Sequence, residues 1–185
     1  QNMYNLFSKL TSHVNDIDNF NDLPIPFLCI ATNIESGKET ILNKGYLPAA
    51  VAASSALPTL FSPVKIGDSI YVDGGVTNNY PIEKVRSMGA DIVIGIDVQD
   101  TLKTRNNLKN AIEILGQVGN YSAIEAMLDK RNDTDIYIRP NITDFSVVSF
   151  NEKLEIMDAG TKEALSVKNQ LIELASKQKP ILRKK

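Results

Sequence analysis

One carboxylate in this chain stands where a general base would stand. In Val72-Asp73-Gly74-Gly75-Val76-Thr77-Asn78-Asn79-Tyr80-Pro81, Asp73 closes a short apolar stretch and two glycines follow it directly. A strand end holds a side chain on a rigid element, and residues without a Cβ let backbone or substrate come close. With an ordinary pKa of about 3.9, such a carboxylate is ionised at neutral pH and accepts a proton from a hydroxyl within hydrogen-bond reach. The competing reading is a cap, because aspartates at strand ends often bind the backbone of the next turn. Gly74, Gly75 and Asn79 form the loop that would face a substrate, and Asn78 and Asn79 shape its turn.

The other reactive groups are few. His13 is the single histidine and lies in a polar segment, so a Ser-His-Asp triad would have to use it; a helix-end or surface residue is the simpler reading. Cys29 is the single cysteine, which excludes an internal disulfide, and its apolar setting Phe27-Leu28-Cys29-Ile30-Ala31 reads as a buried small hydrophobe. Asp97 and Asp100 follow an apolar strand at its carboxyl end, where α/β proteins place ligands, so a metal, a phosphate, a nucleotide or a sugar is conceivable there. No zinc-ligand spacing and no phosphate-binding glycine loop accompanies them, and the expectation is no metal and no cofactor.

The elements that must position Asp73 alternate in type. Met3, Leu6, Phe7, Leu10 and Val14 recur at helical spacing. Residues 27–32 read as a buried strand after the loop Leu23-Pro24-Ile25-Pro26, with residues 39–43 returning as its hairpin partner across Glu35-Ser36-Gly37-Lys38. Residues 47–56, nearly all small, predict a helix able to pack closely, with Pro48 in its first turn. Residues 63–66 and 69–72 flank Gly67-Asp68, a tight hairpin that delivers the chain into Asp73. A short helix over 81–88 closed by Gly89, a parallel-sheet strand over 91–97, a helix over 108–129 weakened by Gly116 and Gly119, and a strand over 135–139 follow. Residues 154–177 predict one long amphipathic helix with Ile156, Ala159, Ala164, Leu165, Leu171, Ile172 and Leu174 as its core face. Such alternation is the pattern of an α/β sheet covered by helices.

Composition bounds the partners. The chain has 185 residues, 43% of them hydrophobic, as one globular domain with a real core would have. Its 20 basic and 22 acidic residues leave a net charge of −2, which gives no electrostatic reason to expect nucleic acid. Arg183-Lys184-Lys185 reads as an exposed tail that could touch anionic lipid. No apolar run is long enough to span a bilayer, and the start lacks the features of a signal peptide. Phe145, Val147, Val148 and Phe150 make an apolar patch open to three readings, core, subunit interface or membrane-facing lip.

Three blocks taken together carry a resemblance: Ala31-Thr32-Asn33; then residues 50–58, Ala-Val-Ala-Ala-Ser-Ser-Ala-Leu-Pro, with Phe61 and Pro63; then Asp73-Gly74-Gly75-Val76 with Asn79 and Pro81. This order resembles the C-terminal half of a bacterial patatin-like phospholipase. The resemblance implies a three-layer α/β/α fold around a doubly wound, mainly parallel sheet, and a lipid acyl hydrolase that uses a Ser-Asp dyad without histidine. Asp73 matches the dyad aspartate. A nucleophile of this kind sits in Gly-x-Ser-x-Gly beside glycine-rich backbone that forms the oxyanion hole, and neither occurs here. Ser69 reads instead as a strand residue, and Ser54 and Ser55 as close-packing residues of the small-residue helix. The expectation is that all 185 residues form the C-terminal portion of one patatin-like domain, with the serine on an N-terminal segment that acts as its partner. A further implied partner is a lipid or ester substrate at a membrane surface; the long final helix, read from its own pattern, could join a second copy. Similar bacterial proteins are soluble, exported or fused to membrane-embedded domains. An inactive binding or scaffolding module with the same fold is the alternative.

Overall fold

The computed structural model of the chain describes residues 2–99, 102, 105, 108, 111–146 and 149–178. It divides into two compact units, Gln1–Pro81 with Val118–Ala123 and Ile82–Gln117 with Ile124–Lys185. Helices and sheets mix throughout, which is the α/β class expected. Asp100, Val147, Val148 and the basic tail lie outside the described residues.

The first unit begins with helix α1 (Asn2–Leu10) and builds a four-stranded sheet from β1 (Cys29–Asn33), β2 (Glu39–Leu42), β3 (Val64–Ile66) and β4 (Ser69–Asp73), in the order β2-β1-β4-β3. Every pairing in it is antiparallel. The mainly parallel sheet implied by the resemblance is therefore not what these strands form. Short turns fix this for β1–β2 and β3–β4, since they join neighbours only as hairpins; β1 and β4 pair antiparallel across a connection long enough for either sense. The turns fall at glycines with left-handed φ, +66° at Gly37 and +60° at Gly67.

Helix α2 (Leu47–Ser54) carries Pro48 in its first turn and packs on β1 and β4, and its buried Ala50, Ala52 and Ala53 are small enough to allow close approach. Beneath it Phe20 is fully buried with Leu47 and Ala50, and half-buried Val14, Leu23, Phe27, Cys29, Leu42 and Val51 complete the cluster. Phe20 sits on a 3-10 turn (Phe20–Asp22) capped by Asn19, and its N–H donates to Asn43 O at 2.9 Å.

In the second unit α3 (Ile82–Ser87) ends at Gly89, which adopts φ +94°. Strands β5 (Ile94–Ile96) and β6 (Ile136–Ile138) pair in parallel, with Ile94 opposite Ile136 and Ile96 opposite Ile138. Helix α4 (Ala111–Asn132), whose residues Val118–Ala123 belong to the first unit, runs unbroken through Gly116 and Gly119. The single helix expected over 154–177 is two, α5 (Lys153–Ser166) and α6 (Lys168–Lys177), interrupted at Val167. Ser166 Oγ donates to Glu163 O at 2.7 Å, a local bond that competes with continuation of the helix. Of the expected core face, Leu165 and Ile172 are exposed at 60% and 56%. The other members of that face are only half-buried and no described residue of α5 or α6 is fully buried, so the expected core face is not a core face here. No helix among the described residues is long and apolar enough to cross a membrane.

Candidate active site

Asp73 is the last residue of β4, opposite Ala31 on β1. Its backbone is bonded outside the ladder: its N–H donates to Ala56 O at 3.0 Å, and its carbonyl accepts from Thr32 Oγ1 at 2.9 Å. Three sequence blocks separated by up to 41 residues thus meet on one residue. Ala56 ends the small-residue block, Thr32 is the penultimate residue of β1, and Asp73 opens the glycine turn.

The carboxylate is part-buried. Gly75 N–H donates to Asp73 Oδ1 at 2.7 Å, so Asp73 also caps the 3-10 turn Gly74–Val76. Among the described residues no donor reaches Oδ2. Burial raises the pKa of Asp73 above its ordinary value, opposed by the Gly75 hydrogen bond. A carboxylate in this state has one oxygen held and one free to accept, and its basicity is increased by desolvation.

The two glycines are needed for different reasons. A Cβ on Gly74 would lie 2.1 Å from Ile30 O, so only hydrogen allows the turn to press on β1. A Cβ on Gly75 would meet Asn79 Oδ1 at 2.7 Å and Asp73 Oδ1 at 3.0 Å, which are side-chain and not backbone atoms. Asn79 is exposed and folds toward Gly75, so it stands in the same loop as the carboxylate. Asn78 is buried: its Nδ2 donates to Glu39 Oε2 on β2 at 2.8 Å, and its N–H donates to Gly74 O. These bonds tie the loop down from the side away from β3. Sequence reading missed Thr32, Thr77 and Glu39 as supports. A threonine in an otherwise apolar buried strand was the signal available for the first.

The remaining reactive groups take structural roles. Ser55 Oγ donates to Val51 O at 2.8 Å at the end of α2, and Cys29 Sγ donates to Leu42 O at 3.9 Å. Burial pushes the Cys29 thiol up to about 11, against the effect of Ser54, which suits a packing residue and not a nucleophile. Ser69 pairs with Ile66 as a strand residue, and His13 is exposed on the 3-10 turn Ser12–Val14. In the second unit Asp97 is buried beyond β5, where Tyr137 OH and Arg139 Nη1 meet its Oδ2 and Gln99 N–H meets its Oδ1. Both oxygens are occupied by protein groups, which leaves the ligand reading of that aspartate without support. Of the apolar patch, Phe150 is exposed and Phe145 half-buried.

Comparison with known proteins bears on the same segment. The family described as patatin-like phospholipase matches residues 8–86, the stretch that holds β1 to β4 and Asp73. Lysophospholipase NTE1 of Phaeosphaeria nodorum is 28% identical over 177 residues, 82% of this chain and 12% of that protein. Lysophospholipase NTE1 of Saccharomyces cerevisiae is 25% identical over 164 residues, 75% of this chain and 10% of its own length. An uncharacterized NTE family protein of Mycobacterium bovis is 32% identical over 76 residues, 41% of this chain and 21% of that protein. The chain therefore spans about a tenth to a fifth of the curated relatives it matches.

Proposed function

We propose that this chain, whose residues 8–86 match the patatin-like phospholipases, supplies the general base of a lipid acyl hydrolase that cleaves an ester of a phospholipid or lysophospholipid. The observation that carries the reading is the state of Asp73: held at a strand end, Oδ1 fixed by Gly75 N–H, Oδ2 without a protein donor among the described residues. The lysophospholipase relatives support the substrate class.

In this mechanism a serine hydroxyl carried by polypeptide beyond the residues described attacks the ester carbonyl while Asp73 takes its proton. The tetrahedral intermediate collapses, the leaving alcohol departs with that proton, and an acyl-serine remains. Water then attacks the acyl carbon, Asp73 accepts a proton from it, and the proton returns to the serine as the fatty acid leaves. Gly74, expected to face the substrate, is buried and instead seats the turn on β1; Gly75 holds Oδ1 through its N–H, Asn79 borders the carboxylate, and no cofactor is required.

The test is hydrolysis of a lysophospholipid by the full-length protein, with labelling by a fluorophosphonate serine probe. Asp73→Asn keeps the size and the hydrogen bond from Gly75 but cannot act as base, so turnover is expected to fall by roughly 10⁴-fold, the scale seen when a dyad or triad member is lost. Retained turnover in that variant rejects the assignment. A second reading, a patatin-like binding module without turnover, draws on the Gly75 hydrogen bond, which a purely structural cap would also make. Absence of both probe labelling and hydrolysis in the full-length protein favours it.

A further inference from the structure

We infer that Thr32 is a positioning residue for the Asp73 carboxylate, holding the peptide plane between Asp73 and Gly74 through its hydroxyl; this rests on the reading of Asp73 as base. Thr32 is 3% exposed near the end of β1, between apolar Ile30 and Ala31 on one side and Asn33 on the other. A hydroxyl there needs a partner, because a buried polar group without one is costly. It has two: Asp73 O at 2.9 Å and Thr77 Oγ1 at 2.9 Å.

Proton counting orders the chain of bonds. A carbonyl only accepts, so the single proton of Thr32 goes to Asp73 O, and Thr32 Oγ1 then accepts from Thr77. The alternative acceptor for Thr77, Gly74 O, is 3.4 Å away, at the limit of a hydrogen bond. The carbonyl that Thr32 holds belongs to the peptide unit that leads into Gly74 and Gly75. Freed from Thr32, that unit could rotate about ψ of Asp73, now 134°, and carry the Gly75 N–H away from Oδ1. Packing of Gly74 against Ile30 restrains the Cα of the turn, while the hydroxyl restrains its peptide plane. Thr32 touches no reacting atom, so its effect passes through Asp73.

The experiment measures lysophospholipid hydrolysis and thermal unfolding of the full-length protein for Thr32→Val, Thr32→Ser and Asp73→Asn. Thr32→Val removes the hydroxyl and nearly preserves shape; kcat is expected to fall roughly tenfold to a hundredfold with KM within about twofold, as misplacement of a reacting group predicts. Thr32→Ser keeps the hydroxyl and loses a buried methyl, so its Tm falls while kcat stays within about threefold of the parent. Wild-type kcat in Thr32→Val overturns the inference, and so does an equal kcat loss in both Thr32 variants, which would mean packing alone matters. If Thr32→Val does not fold, Thr77→Val carries the test: it removes the hydroxyl that bonds Thr32, a smaller kcat loss supports the inference, and wild-type kcat overturns it. An inactive Asp73→Asn beside a fully active Thr32→Val defeats only the positioning role, whereas an active Asp73→Asn defeats the base assignment as well.

Discussion

The α-carbon of Gly74 is pressed against Ile30 so closely that a methyl group on it would stand 2.1 Å from the Ile30 carbonyl oxygen and 2.6 Å from its carbonyl carbon. Both atoms are backbone of the central strand β1, which cannot step aside as a side chain can. The turn that carries the candidate base is thus seated on the sheet by the absence of a Cβ.

Gly74→Ala is expected to destabilise the protein by at least the roughly 1–3 kcal/mol typical of overpacking. Gly75→Ala meets only the ends of Asn79 and Asp73 and should cost less. Urea denaturation of the two variants gives the comparison, and an equal or reversed order contradicts the close seating of Gly74.

Asp73 gives stability a defined pH dependence. Burial raises its folded pKa above the reference value of 3.8, so the folded chain keeps this proton where the unfolded chain has lost it. Folding stability then declines as pH rises from the ordinary carboxylate range through the raised value, and the deficit persists above it. Asp73→Asn has no proton to lose, so its Tm relative to the parent improves between about pH 3 and pH 7. A relative Tm that does not change with pH contradicts the shift. With Asp73 as the base proposed above, the acid limb of kcat/KM is expected above the ordinary carboxylate range.

Asp135 behaves in the opposite sense. The Val93 N–H, at 2.8 Å, and the Arg86 guanidinium, also at 2.8 Å, hold its carboxyl below the usual range. The stabilisation is present above the unfolded pKa and is lost as pH falls through the lowered folded value. Asp135→Asn should therefore lower Tm at neutral pH and converge with the parent in acid. Thermal unfolding across the acid range checks this, and a Tm deficit that grows toward low pH would contradict it.

Tyr137→Phe removes one of the two groups on Asp97 Oδ2 and leaves Arg139 at 3.2 Å as the other. A hydrogen bond to a buried charge contributes about 1.5–3 kcal/mol, and a loss of that size in chemical denaturation is expected. A neutral substitution would mean that Arg139 alone suffices.

Much of the site was readable because its signals are local. Gly67-Asp68 between two apolar runs marks a hairpin, and that hairpin puts Asp73 at the end of β4. Pro48 followed by small residues marks α2 for the same reason: the conformational preference belongs to each residue. Phe20 was not readable. Flanked by Asn19, Asn21 and Asp22, it shows no periodicity, and it is fully buried only because Leu47, Ala50 and Phe27 arrive from elsewhere in the chain. The interruption at Val167 was missed because apolar residues continue across it in nearly helical rhythm.

From the order of residues alone came the α/β class, the strand and turn that present Asp73, and the two glycines behind it, all products of backbone preference over a few neighbouring positions. Only the folded chain decided that Thr32 holds the Asp73 carbonyl, that Ala56 takes its N–H, and that Gly74 lies against Ile30. Those contacts join residues 17 to 44 positions apart, and no local preference encodes them; they exist because antiparallel pairing of β1 with β4 and the packing of α2 on both bring distant backbone to one place.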